Sequence, residues 1–447
     1  STPAPTPIPA AAPSTSPAAA AHFLSTAFHR APVLFRGAVP PHLLPSLSPD
    51  ELAGLSVAPH AAARIVTNDP ATGVFALQKA SPLREDDFEA LPDSHFSLLV
   101  NDVDRADPEV ARLWDVLLPF IPRWRRDDIM VSYAAAGGGV GPHVDNYHVF
   151  LLQSRGSRRW SVSLTPVPPH LEALRTDCPD VRVLVPGSFD LDRSWELHPG
   201  DVLYVPPRIP HWGEALDDEC MTCSLGLRAP PLRDVVLAAA DRVATRLGDD
   251  RLLEDDPAHL AAAVATAAAA SSAASSESSC PPWHGIDHAK ISDAFVAAAA
   301  KEVARCFEDI EHDVILAVGE TATAPRRERP PPAVGPKRAR RDVARFLDGS
   351  DPRVEALEVP SAEIIVHGRA AAGARAFFAN GVTLAVRQEW EHLVLRLSEQ
   401  RTLTTAEVLG EDGTPEEGFA RLLEGLMCDG VLVAVQPEGE RASAGTS

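Results

Sequence analysis

The chain has 447 residues, which predicts roughly two to four domains and enough sequence to bury a sizeable core. Its 41 lysines and arginines stand against 62 aspartates and glutamates, for a formal charge of −21. A surface this acidic excludes a non-specific coat on nucleic acid or on an anionic membrane. The six cysteines are scattered and fit a reducing compartment, and no apolar run approaches the length of a membrane span. We therefore expect a soluble, intracellular protein.

The first 21 residues differ in composition from the rest. Residues 1–21 contain only serine, threonine, alanine and proline, apart from Ile8, and no acidic residue occurs before Asp50. Such a segment is typical of organelle transit peptides, which would direct the protein to a chloroplast or mitochondrion. A disordered extension on a cytoplasmic protein is the alternative. In both cases we expect the fold to begin at residue 22.

Residues 22–229 predict one β-rich domain. Apolar runs that indicate strands occupy 31–38, 64–79 and 95–103, and helical spacing extends over 108–118. From 129 to 226 the strand-like runs are IMVSYA, HVFLLQ, RRWSVSL, DVRVLVP, DVLYVP and CMTCSLGL. Short strands at close spacing, separated by glycine and proline, predict a sandwich or barrel.

The composition becomes helical after this domain. Residues 230–320 are rich in alanine, leucine and valine with helical periodicity, interrupted by a low-complexity insert at 269–282. Residues 321–361 are rich in proline and predict a linker region. This region contains a basic cluster, which consists of Lys337, Arg338, Arg340 and Arg341. The cluster is a candidate nuclear signal or contact arm, and the alternative is that it is a solvated part of the linker.

A third compact unit is predicted over 362–436, followed by a disordered tail at 437–447. Its expected elements are helices at 388–399, 404–409 and 415–428 and a VLVAV strand. Three helices with a β-wing form a winged-helix pattern. The third helix, however, carries Glu416, Glu417 and Glu424 against one Arg421, and a helix that faces phosphates should not be acidic. We expect protein packing and no direct DNA binding.

Two motifs carry the predicted chemistry. The first is GGGVGPHVD, which ends in His143 and Asp145, and the second is PGDVLYVPPRIPH, which ends in His211. Histidine and aspartate two residues apart on a strand project from the same face, so both can reach one metal ion. A second histidine from a distant strand would complete a facial triad with open positions, which is the ligand set of non-haem Fe(II) oxygenases.

A CxxC pair, Cys220 and Cys223, lies within a predicted strand. The two side chains should point to opposite faces, and a zinc site would need a second pair. Core packing is therefore the preferred interpretation.

The segments MVSYAAAGGGVGPHVDNYHVFLLQSRGSRRW (130–160) and PGDVLYVPPRIPHWGEAL (199–216) resemble the JmjC-type ribosomal oxygenases. The likeness is strongest to the bacterial-type enzymes that hydroxylate an arginine of large-subunit ribosomal protein sixteen. It extends over residues 30–320 and 362–436. The resemblance implies an α+β multidomain protein: a double-stranded β-helix (cupin or jelly-roll JmjC) barrel, a helical dimerisation domain that forms a homodimer, and a C-terminal winged helix.

The resemblance also implies roles for individual residues. His143, Asp145 and His211 match the catalytic Fe(II) ligands. Arg158 matches the cation that binds the distal carboxylate of the co-substrate 2-oxoglutarate, which reacts together with O₂. Ser132 matches a polar position on a neighbouring strand that contacts the co-substrate.

Substrate recognition is implied by the residues after the HxD motif. Bacterial-type enzymes continue with Gln-Tyr-Asp, whereas this chain has Asn146, Tyr147 and His148. If the acidic position pairs with a substrate guanidinium, His148 removes that charge, while Tyr147 retains a face for stacking. Alternatively, His148 faces solvent beside the site.

The sequence therefore predicts an Fe(II)- and 2-oxoglutarate-dependent hydroxylase of a ribosomal protein, with arginine as the favoured target. The acidic charge would steer it toward a basic partner. The alternatives are a nuclear JmjC lysine demethylase or histidyl hydroxylase, and a non-catalytic cupin scaffold.

Overall fold

The computed structural model describes residues 12–59, 61–247, 265, 293–308, 310–324, 336–348, 356–358, 365–367, 375–379, 382–400, 402–404, 408, 417–428 and 431–435. The described residues form two compact units, one up to Ala229 and one from Pro230 onward. Among them no helix is both long and apolar enough to cross a membrane. The predictions for the insert at 269–282 and the tail at 437–447 lie outside the described residues.

The first unit contains two facing antiparallel sheets. The strands, in chain order, are β1 Val33–Phe35, β2 Ala63–Asp69, β3 Val74–Ala80, β4 Phe96–Val100, β5 Arg126–Ala134, β6 His148–Arg155, β7 Arg158–Val162, β8 Arg193–Leu197, β9 Val202–Val205, β10 His211–Ala215 and β11 Cys220–Leu227. The larger sheet has the strand order β1-β9-β6-β11-β5-β4-β2-β3, and the smaller has the order β10-β7-β8. The sequence-based prediction of a double-sheet barrel is confirmed.

Strand β6 contributes side chains to two separate hydrophobic clusters, one on each face of the large sheet. Its side chains alternate between the two faces of the large sheet, as a strand with both faces buried must do. Val149 and Leu151 pack between the sheets with Trp160 of β7. Phe150 and Leu152 point the other way, into the main core beneath the helices.

The first helices cover the outer face of the large sheet. They span Pro17–Thr26, Pro49–Ser56, Asp86–Glu89 and Pro108–Leu117. The helix at Pro17 begins inside the expected leader: the Ser16 side chain accepts a hydrogen bond from the Ala19 N–H, and Phe23 is buried in the main core. Proline in the first turn after a serine cap is a strong helix start. The boundary predicted at residue 21 is therefore wrong, because residues 12–21 belong to the fold.

One predicted strand is absent among the described residues. The run DVRVLVP at 180–186 contributes only an isolated bridge between Leu184 and Leu174. Val183 packs instead with Phe75 and Cys178 in a small separate cluster, so its apolar pattern reflects burial within a loop. Strand β8, Arg193–Leu197, was not predicted, whereas β10 confirms the strand expected for the second histidine, since it begins at His211.

The second unit is helical at its start. Its helices span Leu232–Leu247, Asp293–Cys306 and Glu311–Thr323, in agreement with the helical character expected for 230–320. A further helix, Pro336–Asp348, lies within the region predicted to be a linker, and that prediction is wrong. Ala339, Val343 and Phe346 recur at helical spacing and are buried, which anchors this helix.

The basic cluster lies on the opposite side of the helix Pro336–Asp348. Arg338 and Arg341 contact Asp342 of the same helix, and Arg340 contacts Glu424 of the helix Glu417–Cys428. These arginines therefore take part in ion pairs within the second unit.

The remaining elements only partly follow the expected winged-helix pattern. The predicted helix at 388–399 is a short 3₁₀ turn, Gln388–Trp390, followed by the helix Glu391–Gln400. Thr402–Thr404 is a strand, so the helix predicted from Thr404 is wrong at its start, and Glu416 lies outside the described residues. The strands are Ala356–Glu358, Ile365–His367, Ala376–Ala379, Val382–Leu384, Thr402–Thr404 and Val433–Val435. The winged-helix assignment stays a prediction.

Candidate metal centre

His143 and His211 are held together by their backbones. The His143 N–H donates to the His211 carbonyl at 3.0 Å, and the His211 N–H donates to the His143 carbonyl at 2.9 Å. This isolated antiparallel bridge lies at the start of β10, and Asp145 follows in irregular chain. The expectation that the HxD motif lies on a strand is therefore wrong. Only His143 pairs with a strand residue, His211, and this one bridge brings the motif to the second histidine.

Both imidazoles present the same nitrogen to the site. His143 Nδ1 lies 2.9 Å from the Gly141 carbonyl, and His211 Nδ1 lies 2.9 Å from the Ile209 carbonyl. A carbonyl only accepts hydrogen bonds, so each Nδ1 carries the proton and each Nε2 keeps a lone pair. This fixes the tautomer that a metal ligand needs.

Asp145 completes the cluster. Its Oδ2 lies 3.5 Å from His211 Nε2, and one ligand atom from each of the three residues lies within 4.8 Å of the others. Burial alone would raise the pKa of Asp145, but its contacts with the two neighbouring imidazoles and with Tyr147 hold it below its usual range. Burial and the proximity of His211 lower the pKa of His143 to about 4. At neutral pH the site therefore offers one carboxylate and a neutral His143.

The glycine run brings two backbone segments unusually close. A Cβ at Gly139 would lie 2.4 Å from the carbonyl oxygen of Gly213 in β10. A Cβ at Gly213 would in turn lie 2.8 Å from the Trp160 ring. Glycine is required at both positions because the Gly213 carbonyl and the Trp160 ring, respectively, occupy the space of a side chain.

Arg158 is a buried cation on the inner face of β7. Its Nε–H donates to Cys220 Sγ at 3.2 Å, and its guanidinium carbon lies 5.7 Å from the centre of the Trp160 ring. Nη2 is buried and has no hydrogen-bond partner among the described residues. A buried guanidinium with an unused donor is suited to a carboxylate ligand, because leaving that donor unpaired is costly.

Trp160 lies between this cation and the metal-ligand cluster. Arg158 and Trp160 are two residues apart on β7, so their side chains share the inner face. The Trp160 ring centre lies 5.7 Å from that of His211. Sequence reasoning missed both Trp160 and Cys220. The alternation within RRWSV could have indicated Trp160, whereas the contact of Cys220 joins residues 62 positions apart.

Ser132 is buried on β5, directly opposite Thr222 of β11. Directly paired residues of antiparallel strands project from the same face. Thr222 donates to Gln153 Oε1 at 3.0 Å, and Gln153 Nε2 lies 3.4 Å from Cys220 Sγ. Ser132 therefore shares its face with the polar network that ends at Arg158. Cys223 points to the opposite face, into the main core, as expected for the CxxC pair.

Asn146 and Tyr147 lie at the surface beside Asp145. The Asn146 Oδ1 accepts a hydrogen bond from Arg208 at 3.0 Å. Tyr147 is 37% exposed, and its hydroxyl contributes a hydrogen bond that lowers the pKa of Asp145. Burial and the Asp145 charge raise the pKa of Tyr147, so its hydroxyl keeps its proton at neutral pH.

His148 is buried and points away from the surface. Tyr204 Oη accepts a hydrogen bond from the His29 N–H at 3.0 Å and lies 2.7 Å from His148 Nδ1. The hydroxyl proton is used when Tyr204 donates to Nδ1, and the neutral ring carries its own proton on Nε2. The ring stacks on Phe28 at 4.2 Å, and burial lowers the pKa of His148 to about 3. The alternative that His148 faces solvent is wrong.

A double-sheet β barrel that carries two imidazoles and a carboxylate at one bridge defines the cupin class of fold. Residues 115–235 match the family model described as the JmjC domain. The chain is 36% identical over 219 residues to "Probable ribosomal oxygenase" of Haemophilus influenzae, covering 48% of this chain and 50% of that one. It is 35% identical over 226 residues to "Ribosomal protein uL16 3-hydroxylase" of Escherichia coli, covering 50% and 56%. Residues 115–235 thus carry a JmjC domain, and the chain is similar to bacterial ribosomal oxygenases over about half of its length.

The alignments span about half the length of these curated relatives, whereas the structural likeness extends further. A crystal structure of Escherichia coli YcfD superposes with a TM-score of 0.68 at 25% identity, covering 92% of this chain and 96% of that one. A structure of YcfD, a ribosomal oxygenase, in complex with cobalt and 2-oxoglutarate gives a TM-score of 0.63 at the same identity and coverage. The fold thus extends beyond the segment that the JmjC model matches.

Proposed function

We propose that this protein is an Fe(II)- and 2-oxoglutarate-dependent dioxygenase that hydroxylates a protein. The observation that carries the proposal is the combination of a two-histidine, one-carboxylate cluster with a buried Arg158 that has an unused donor. Two imidazole nitrogens and one carboxylate oxygen form the facial triad suited to Fe(II), with coordination positions left for other ligands.

His143, Asp145 and His211 would hold the metal, and Arg158 would bind the distal carboxylate of 2-oxoglutarate. When bound, the metal, 2-oxoglutarate and O₂ supply the oxidising power for C–H hydroxylation, with release of succinate and CO₂. The hydrogen bonds at Nδ1 keep both imidazoles in the ligating tautomer. The Trp160 ring excludes water between the cation and the triad, which strengthens the charge–charge contact with a carboxylate.

The substrate in this proposal is a ribosomal protein of the large subunit, with an arginine side chain favoured. The names of the two curated relatives support the ribosomal protein, and their bacterial origin favours a cytoplasmic enzyme. The chain's charge of −21 would speed the encounter with a basic protein. Since His148 is turned inward, the exposed ring of Tyr147 is left as the surface on which a guanidinium can stack.

The two alternatives have less support. The basic cluster favoured a nuclear demethylase or histidyl hydroxylase, but its arginines form ion pairs within the second unit. A non-catalytic scaffold would have no use for a buried arginine donor without a partner, because such a group destabilises the fold. Arg158 therefore favours a protein that binds a small carboxylate.

We further propose that the protein forms a homodimer through its helical segment. Exposed apolar side chains recur along the helices Leu232–Leu247 and Asp293–Cys306, at Leu232, Val236, Val296 and Val303. Solvent-exposed apolar stripes of this kind indicate a surface that another protein covers. The glutamates of the predicted third helix leave DNA binding without support.

The decisive experiment measures succinate formation from 2-oxoglutarate with Fe(II) and a purified large-subunit protein as substrate. We expect His143→Ala to abolish succinate formation and the accompanying 16 Da mass increase of one substrate residue. His170→Ala, which changes an exposed histidine, serves as the control. Succinate output that is unchanged in His143→Ala would refute the assignment of the triad.

A further inference from the structure

Arg208 adopts a backbone conformation that side chains rarely accept. It lies three residues before His211, and its φ is +66°. Glycine is the usual residue in this left-handed region, since a Cβ there is strained by about 1 kcal/mol or more. Such strain persists only where the surrounding structure compensates for it, and at Arg208 the compensation comes from the side chain.

The donor groups of Arg208 are divided between the segment of Asp145 and Asn146 and two residues further along the chain, Val167 and Glu172. The backbone N–H donates to the Asp145 carbonyl at 2.7 Å. The guanidinium donates from Nη1 to Asn146 Oδ1 at 3.0 Å and from Nε to the Val167 carbonyl at 2.8 Å. Nη2 donates to Glu172 Oε2 at 2.7 Å, where the side chains are 15% and 8% exposed, so solvent screens this ion pair weakly.

Val167 and Glu172 belong to the β7–β8 loop, residues 163–192. The same loop is tied to the HxD segment a second time, where the Leu184 N–H donates to the Pro142 carbonyl at 2.8 Å. Arg208 therefore joins three parts of the first unit: the turn that carries Asp145, the approach to His211, and the β7–β8 loop.

We propose that Arg208 is a positioning residue of the metal centre. It does not reach the ligand cluster itself; it fixes the turn of Asp145 and Asn146 against the β7–β8 loop, and thereby fixes the direction of the Asp145 carboxylate. The inference rests on the proposed function, because it assumes that the triad binds a metal. Outer contacts of this kind typically change metal affinity about 10- to 100-fold when they are lost.

The same contact determines what Asn146 offers to a substrate. A guanidinium only donates hydrogen bonds, so the amide oxygen of Asn146 must face Arg208. The exposed amide nitrogen is then left to donate to a carbonyl group of a bound peptide. Arg208 thus assigns Asn146 the role of a donor at the opening of the site.

The experiment titrates the metal-free, full-length protein with Co(II) and follows the ligand-field absorption of the bound ion. Arg208→Gly is the main variant, because glycine accepts the left-handed backbone and removes only the side chain. We expect its Co(II) dissociation constant to rise about 10- to 100-fold with an altered absorption spectrum. Arg208→Lys, which retains one charged donor, should recover part of the affinity.

Two further variants keep the outcome interpretable. Arg182 binds the same Glu172 from an exposed position, so Arg182→Gln should leave the dissociation constant within about twofold. Glu172→Ala removes the partner of Arg208 and tests the same contact if Arg208→Gly does not fold. A dissociation constant within twofold of the parent in both Arg208→Gly and Glu172→Ala would overturn the inference. If His143→Ala also binds Co(II) as the parent does, the metal site itself, and with it the proposed function, fails.

Discussion

The Nε–H of Arg158 donates to Cys220 Sγ at 3.2 Å, whereas Nη2 of the same guanidinium has no partner in the described part of the chain. The thiol occupies one side of a planar group, so the direction of the remaining donors is fixed. Gln153 in turn lies 3.4 Å from the Cys220 sulfur, which restrains the thiol. The side of Arg158 without a partner is thus held ready for a carboxylate.

Replacing Arg158 should affect co-substrate binding most strongly. Hydrogen bonds to charged groups contribute about 1.5–3 kcal/mol, so Arg158→Gln should raise the KM for 2-oxoglutarate roughly 10- to 100-fold. Steady-state succinate assays at varied 2-oxoglutarate measure this. Arg159→Gln is the matched control, because Arg159 faces outward and pairs with Glu196 and Glu214. An equal effect of both substitutions would contradict the assignment of Arg158.

Cys220 should act through Arg158. In Cys220→Ala the Nε–H loses its acceptor and the guanidinium is less restrained, so the KM for 2-oxoglutarate should rise about fivefold, as expected for a contact of about 1 kcal/mol. The turnover number at saturating 2-oxoglutarate should change little. Cys220→Ser retains an acceptor and should remain closer to the parent. If alanine and serine give the same KM, the thiol does not position Arg158.

The close approach at Gly139 predicts a loss of stability. In Gly139→Ala the new Cβ would overlap the Gly213 carbonyl, so the HxD segment must shift, at a cost of about 1–3 kcal/mol. Gly54, in the helix Pro49–Ser56, has open space around its Cβ position. Gly54→Ala should therefore stabilise the protein by about 0.5–1 kcal/mol through helix propensity. Urea unfolding of both variants tests the pair, and a stable Gly139→Ala would contradict the packing described.

The buried His148 predicts sensitivity to acid. Its pKa in the folded protein is lowered to about 3 by burial, from an ordinary value of 6.5. Between these pH values the unfolded chain binds a proton that the folded chain does not, so stability falls as the pH drops, by about 1.4 kcal/mol per pH unit. We expect His148→Gln, which keeps an acceptor for Tyr204, to lose less unfolding free energy between pH 7 and pH 5.

Urea unfolding of the metal-free protein at the two pH values measures the difference. His22→Gln is the control, since His22 is exposed on the first helix. A pH dependence that is the same in His148→Gln and the parent would show that another group causes the acid sensitivity.

The exposed apolar stripe of the helical segment predicts a change in oligomeric state. Val303→Glu places a charge within the surface that we propose is covered in the homodimer, where an unpaired charge is strongly unfavourable. Light scattering after gel filtration should show a monomer. Lys301→Glu changes the charge of a neighbouring exposed residue outside the stripe and should leave the dimer intact. A parent protein that is already monomeric would refute the dimer.

The sequence was sufficient to predict the barrel and to select the cluster of His143, Asp145 and His211, because both depend on short local patterns. It could not predict the contacts that hold the cluster in place. Those of Arg158 with Cys220 and of Arg208 with Asn146 join residues 62 positions apart. The burial of His148 depends on Tyr204 of the neighbouring strand β9 and on Phe28, which follows the first helix and is 120 residues away in the sequence.

The leader predicted to end at residue 21 and the linker predicted over 321–361 were wrong because both were assigned from composition. Residues 12–21 and 336–348 were assigned by their composition to a leader and a linker, yet each contains ordinary helix signals. Ser16 and Pro17 begin one helix, and the spacing of Val343 and Phe346 defines the buried face of the other. Capping residues and helical spacing therefore predict secondary structure better than composition does in segments that lead into, or contain, a large buried apolar side chain such as Phe23 or Phe346.

The mutual hydrogen bonds between the backbones of His143 and His211 should make the fold of the first unit independent of bound metal. Two ligands are brought together by the barrel itself, so the loss of conformational entropy at the site occurs during folding and before any ion arrives. Zinc fingers are the opposite case, in which the ion supplies the folding energy. A barrel built in this way should stay folded when its metal ion is scarce and bind the ion again when it becomes available, without refolding or new synthesis.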